Sequence, residues 1–340
     1  MATIEEQTPR VEFVSGERIA RSGGFTGLHA RLLHYWPYRW SVAWVQRRGL
    51  SPRAAVILVP FGWLLLFFLA PFLIVLKISF SEIRMAIPPY APLVELVDGI
   101  YLTITLNIEN YQLLWEDSLY WRSYVNSLWI AATSTLLALL IGYPIAYGMA
   151  RAPRQWRSML LMMVILPFWT SFLIRVYAWI GILKQEGLLN LVLMHLGLIS
   201  EPLEILYTDI AVYVGIVYSY LPFMVLPLYA NLEKMDPDLL ESAQDLGCTP
   251  LKAFWVVTMP LSLPGIVAGC FLVFIPAVGE FVIPDLLGGA DTLMIGKTLW
   301  TEFFANRDWP LSSAVAVVLL TLLIVPIVIF QKIQEKNPDL

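Results

Sequence analysis

The sequence predicts an all-α integral membrane protein with about six transmembrane helices and both termini on the cytoplasmic side. Three observations predict it. Of the 340 residues, 58% are hydrophobic and only 14% charged, where a soluble domain carries about 25% charged residues. The charges gather in short blocks between long apolar runs, six of which approach or exceed the length of about 20 residues that crosses a bilayer as a helix. The Lys and Arg residues are also unequally shared between the two sets of connecting segments. The net charge of −4 identifies no partner, because in a membrane protein the distribution matters more than the sum.

The six runs are Ala54 to Phe80, Tyr124 to Met149, Met159 to Leu183, Ile210 to Ala230, Leu263 to Val282 and Ser313 to Phe330. Together they define a transmembrane domain over 54–330. Leu188 to Ile199 is too short to span and reads as a surface or re-entrant helix. With the N-terminus inside, cytoplasmic segments collect the arginines of the first 53 residues, then Arg151, Arg154 and Arg157, Lys234 and Lys252, and Lys332 and Lys336. The opposite side holds Lys77, Arg84, Arg122, Lys184, Lys297 and Arg307. The loop of Arg151, Arg154 and Arg157 is very short, where a positive charge bias is most informative.

Residues 1–53 form a basic leader. Its first 25 residues read as a disordered tail, and Trp36, Tyr38, Trp40 and Trp44 beside Arg39, Arg47 and Arg48 suit the headgroup layer. The first apolar run begins too late for a cleavable signal, so the first span is expected to stay as an anchor. The long outer loop from Ser81 to Ser123 carries Glu82, Glu95, Asp98, Glu109, Glu116 and Asp117, and either docks an outside partner or is simply solvated. Residues 331–340 form a cytoplasmic tail.

Several function classes find no support. Cys248 and Cys270 belong to no Cys/His cluster, and His29, His34 and His195 form no ligand set, so no metal site is expected. No phosphate-binding loop is present: the nearest approach, Gly296-Lys297-Thr298, has Asp291 where the first glycine is needed. No zinc-protease helix or nucleophile elbow appears. No catalytic residues and no nucleic-acid partner are expected.

The informative segment is the cytoplasmic stretch 231–260. Asp236 can cap a helix opening at Pro237, and Asp238 and Glu241 favour its positive end. Gly247 can stop that helix in a left-handed conformation. Thr249 and Pro250 repeat the signal for a second short helix, and Pro260 and Pro264 bend the chain into the fifth span. Two short helices with a sharp turn are expected, rigidly joined to a membrane helix.

Glu241-Ser242-Ala243, Gly247 and Val257-Thr258-Met259-Pro260 resemble the E-A-A-x(3)-G-x(9)-I-x-L-P pattern of the permease subunits of bacterial binding-protein-dependent ABC importers. Ser242, Val257 and Met259 depart from it. Three further stretches, 164–175, 221–229 and 279–289, resemble permeases of the polyamine group, as does Asn306-Arg307-Asp308-Trp309-Pro310. The similarity covers about 55–330 and is nearest the putrescine type. It implies a type I importer permease fold in a bacterial inner membrane, with Glu241, Ala243, Gly247 and Pro260 in a coupling element that fits a cleft on an ATPase. It also implies a second related permease chain, two ATPase subunits carrying ATP-Mg, a periplasmic polyamine-binding protein and surrounding membrane lipid. No cofactor is implied in this chain.

A path for a flexible polycation needs carboxylates along aromatic walls. Glu280 lies in an apolar stretch near the outer end of the fifth span, with Pro276 expected to free the Leu272 carbonyl. An intramembrane carboxylate is a functional candidate, and Asp285 follows nearer the surface. Arg175 is also intramembrane, and a structural Glu280–Arg175 pair is the competing reading. Trp169, Tyr177, Tyr218 and Tyr220 are candidate wall residues. An ion-driven secondary transporter, or an importer permease for another organic solute, remains an alternative at this level.

Overall fold

The computed structural model of the chain describes residues 52–97 and 101–336. The leader, apart from its final two residues, and the last four residues of the tail lie outside the described residues. Contacts divide the chain into Met1–Leu73 and Ile74–Leu340. In the first unit the chain is helical from Pro52 through a π-helical turn at Leu65–Leu69 and carries exposed apolar side chains on every face from Ile57 to Leu69. A helix apolar all round is one whose surroundings are themselves apolar. It continues as Ala70–Ser79, and the whole is α1.

Among the described residues the second unit is helical apart from a two-stranded sheet and an isolated bridge between Ile83 and Tyr90. Val94–Val97 (β1) pairs antiparallel with Tyr101–Ile104 (β2) in the loop after α1. The two four-residue strands are rich in the β-branched and aromatic residues that strands prefer. Helix α2 (Glu109–Glu116) follows. Asn110 donates to the carbonyls of Ser79 and Ser81 and so fixes α2 against the end of α1.

The 34-residue α3 (Ser118–Arg151) begins where the Asp117 carboxylate accepts the Leu119 amide. At 1.5 Å per residue it is about 51 Å long, well beyond the ~30 Å hydrocarbon layer. Ser123, Ser127, Ala131, Ser134, Ala138, Gly142, Ala146 and Ala150 recur every three or four residues along it, and all are buried. In lipid, helices associate by close backbone approach rather than by excluding water, so small residues mark the packing face. That face packs against α7 (Asp209–Leu232) and α10 (Leu263–Val278), and these three helices form the centre of the unit.

The third apolar run is not one straight span. α4 (Arg154–Ile165) passes into a 3-10 turn at Leu166–Trp169, and α5 (Phe172–Leu183) restarts at an angle of 89°. Pro167 lies in that turn, and Thr170 and Ser171 at the break have extended ψ of 151° and 138°. The short apolar run forms α6 (Leu188–His195), where buried Asn190 bonds both the amide and the carbonyl of Leu203. The fifth run is likewise shorter than expected: α10 ends at Val278, and the chain from Gly279 to Phe281 leaves the helix.

Beyond the break come α11 (Val282–Leu286), α12 (Ile295–Trp300) with a π-helical turn at Thr301–Ala305, and α13 (Trp309–Lys336). The six apolar runs thus become three unbroken membrane-length helices, two bent pairs and the apolar stretch Trp309–Val325 of α13.

Candidate functional site

Two regions carry chemistry, one at each end of α10. The first is the connection from α7. Helix α8 (Asp238–Asp245) opens with the Asp236 carboxylate accepting the Asp238 amide at 3.1 Å. It closes with Gly247 at φ +85, the Gly247 amide on the Gln244 carbonyl and the Cys248 amide on the Ala243 carbonyl. This pair of bonds is the Schellman stop, and it requires the left-handed residue that glycine supplies most easily. Thr249 then accepts the Lys252 amide with Pro250 in the first helical position, opening α9 (Pro250–Ala253).

A π-helical turn at Phe254–Thr258 and a last turn, Met259–Leu261 with Pro260, lead to a 62° bend into α10. The bend is tied to the bundle by a hydroxyl pair, Tyr143 of α3 with Ser262, at 2.9 Å. Glu241 is exposed and Ala243 half-buried. Leu246 and Leu251 are exposed to 87% and 72%, beside exposed Leu239, Trp255 and Val256. Glu241, Ala243 and Gly247 therefore sit on a double-capped element that exposes Asp238, Ser242, Gln244 and Asp245 as well as these large apolar side chains.

The second region lies at the other end of α10. Glu280 follows that helix rather than sitting within it, and its side chain is buried. Its Oε1 accepts the amides of Phe281, Val282 and Ile283, capping α11, and its Oε2 accepts the Tyr220 phenol at 2.5 Å. Tyr220 is the twelfth residue of the 24-residue α7. The carboxylate thus lies level with the middle of a membrane-length helix, deeper than the sequence indicates, at a break in its own span. Irregular backbone at such depth is tolerated where it is buried in protein or lines a cavity. Gly296 of α12 passes close behind it: a Cβ there would lie 2.4 Å from the Gly279 carbonyl oxygen and 2.6 Å from that of Glu280.

A cavity of about 440 Å³ opens in front of Glu280. Phe168, Phe172, Arg175, Tyr220, Phe223 and Phe281 supply its aromatic and cationic walls. The Arg175 guanidinium stands 5.0 Å over the Phe168 ring and 5.8 Å over that of Phe172. It is buried, its Nε and Nη1 have no hydrogen-bond partner, and it forms no ion pair among the described residues. Arg175 and Glu280 therefore face one cavity without pairing. Asp285, one turn past Phe281, pairs with Lys297 at 3.8 Å.

Of the expected wall residues, only Tyr220 reaches this cavity. Tyr218 stands two positions away on α7, which puts it on another face, and it packs edge-on against Trp179. Tyr177 is two positions from Arg175 on α5 and is exposed, as is Trp169 at the end of the 3-10 turn. The aromatic walls come instead from Phe168, Phe172, Phe223 and Phe281, whose convergence depends on the two breaks.

Residues 142–338 match the family described as binding-protein-dependent transport system inner membrane component. The spermidine/putrescine transport system permease protein PotB of Haemophilus influenzae is 42% identical over 277 residues, which cover 81% of this chain and 92% of that protein. PotB of Escherichia coli is 41% identical over 258 residues, 76% of this chain and 89% of that protein. The inner membrane ABC transporter permease protein YdcU of Escherichia coli is 30% identical over 242 residues, 66% and 76% of the two chains. A chain in the crystal structure of a bacterial ABC transporter that imports alginate shares the fold at a TM-score of 0.62, with 16% identity, over 86% of this chain and 97% of that one.

Proposed function

This chain belongs to the binding-protein-dependent transport system inner membrane components, and from that premise we propose that it is the permease subunit through which an ATP-driven importer passes a polyamine into the cytoplasm. As a family member it is a multi-pass inner-membrane transport component and not an enzyme. ATP-Mg is bound and hydrolysed by two separate ATPase chains, which seat α8 in a cleft through Glu241, Ala243 and Gly247. The exposed apolar side chains Leu239, Leu246, Leu251, Trp255 and Val256 on that loop support this, because helix-in-groove docking uses such anchors. A second, related permease completes the path, and a soluble receptor delivers solute from the periplasmic side. The loop carrying Glu241 faces the cytoplasm in this assembly.

One observation carries the substrate class: a buried carboxylate, Glu280, set among aromatic rings level with the middle of the membrane-length α7. Ring faces and a carboxylate attract organic ammonium groups, and the methylene links of a polyamine suit the apolar wall. The relatives named for spermidine and putrescine support the same class. Arg175 supports a second reading, an organic solute bearing an acceptor group, since its buried donors lack a partner.

The test is affinity purification from native membranes followed by reconstitution. Recovery of a second permease and an ATPase, with receptor-dependent import of spermidine or putrescine, is the expected result. Recovery of this chain alone in transport-competent form would instead support an ion-driven transporter.

A further inference from the structure

Beyond the cavity, α11 and α12 lie side by side and form two rungs. The inner rung is aromatic: Phe281, which also lines the cavity, stacks on Trp300 with ring centroids 4.4 Å apart and planes within 13°. The outer rung is ionic: Asp285 meets Lys297 at 3.8 Å. The rungs are in register, because Asp285 lies four residues after Phe281, with its amide on the Phe281 carbonyl, and Lys297 lies three before Trp300. One helical turn, about 5.4 Å, separates them. Leu287, at the end of α11, accepts the amide of Tyr207 just outside the N-terminus of α7. The outer rung is therefore nearer the end of the bundle away from the coupling loop, and the inner rung leads to Glu280.

The aromatic rung is open. Trp300 is 42% exposed, and Phe304, whose ring centroid lies 4.1 Å from that of Trp300, is 55% exposed. The Asp285 side chain is 55% exposed while that of Lys297 is 28% exposed, so the carboxylate is the accessible partner. Lys297 ends in a primary ammonium, the same group that terminates an oligoamine. It sits on a carboxylate, one turn from stacked rings that lead to a second carboxylate.

We propose that Lys297 is a tethered competitor: its ammonium holds, on Asp285, the place that an ammonium of the incoming oligoamine takes on its way to Glu280. Entry then exchanges one ammonium for another at Asp285, the net charge at the rung is restored, and the displaced lysine swings to solvent. The leading ammonium moves past the Phe281–Trp300 rung towards Glu280 while the methylene chain lies on the rings. An exposed pair held at 3.8 Å is weak enough to exchange. The inference rests on the polyamine reading above and adds a specificity-determining residue to it.

The test is equilibrium binding of tritiated spermidine to the complete complex in nanodiscs without receptor, beside receptor-driven import by the same preparations. Lys297→Met should bind spermidine more tightly, by roughly 1.5- to 5-fold, the strength of an exposed ion pair. Lys297→Arg should bind as the parent does. Asp285→Asn should weaken binding by a similar factor, and adding Lys297→Met to it should restore nothing. Weakened or unchanged binding by Lys297→Met would overturn the proposal. So would a loss of complex yield in Lys297→Met that Lys297→Arg repairs, since the pair would then be structural. Import of spermidine by a parent complex that binds none without receptor would overturn the proposal and leave the polyamine reading standing. Failure of the parent complex to import any oligoamine would remove that reading, and the proposal with it.

Discussion

The Tyr220 phenol and the Glu280 carboxylate join the middle of one membrane-length helix to the break in another span. The second carboxylate oxygen takes three backbone amides of the same break, so one side chain both caps α11 and faces the cavity. A hydrogen bond to a charged group contributes about 1.5–3 kcal/mol. Tyr220→Phe keeps the ring and removes only the hydroxyl, so it should lower the thermal stability of the complex and reduce import. Glu280→Gln keeps one carbonyl acceptor for the amides and loses the charge. We expect it to abolish most import while complex yield is retained. Yield that collapses with import would make the carboxylate structural only.

The coupling assignment predicts that Glu241→Lys leaves the membrane fold intact but separates ATP hydrolysis from import. Glu241 is exposed on α8, and among the described residues its side chain makes no hydrogen bond or ion pair. Co-purification of the ATPase with the variant, followed by receptor-stimulated hydrolysis, is the measurement. Normal import would remove the assignment.

The stop at Gly247 gives a quantitative expectation. A left-handed conformation costs a residue with a Cβ about 1–2 kcal/mol, and nothing else crowds the position. Gly247→Ala should lose that much from the stability of the loop, seen as faster amide exchange over α8, with Gly247→Asn milder. Gly296→Ala differs in kind, because its Cβ would enter the backbone behind Glu280. Loss of import without loss of α8 protection is expected there.

Much of this was legible in the chain. The caps at Asp236 and Thr249 and the stop at Gly247 follow from local rules, and each is realised by the bond those rules require. The apolar runs located the membrane helices for the same reason, since hydropathy is local. The breaks were not legible. Nothing local distinguishes Pro167, where the chain turns by 89°, from Pro222 or Pro227, which α7 carries without interruption. The difference lies in tertiary packing. For that reason the cavity walls came from Phe168, Phe172, Phe223 and Phe281 rather than from Tyr177 or Tyr218. Glu280 and Asp285 were singled out from the sequence, whereas the partners Tyr220 and Lys297 hold in the fold depend on where α7 and α12 run.

Asp308 supplies a pH test outside the membrane-spanning helices. Burial raises its carboxyl above the ordinary range, Glu302 adds to the rise, and the Leu311 amide it accepts opposes it. An acid whose folded pKa is raised destabilises the folded state as pH climbs through its unfolded value towards the folded one. Asp308→Asn can still accept the Leu311 amide and carries no charge. It should raise the melting temperature of the complex at neutral pH, with the gain vanishing near pH 4. An equal effect at both pH values would mean that the charge is not what matters.

The Tyr143–Ser262 pair acquires a mechanical meaning once lengths are compared. It fixes the near end of α10, whose 16 residues reach about 24 Å to the turn that holds Glu280. With that end as fulcrum, a tilt of about 5° sweeps the far end through about 2 Å. A displacement of that size takes the Tyr220 phenol out of bonding range of the carboxylate. In the importer proposed above, a small stroke at the loop would be amplified along this stiff arm into the release of one hydroxyl grip, and the oxygen set free would be the one offered to an ammonium.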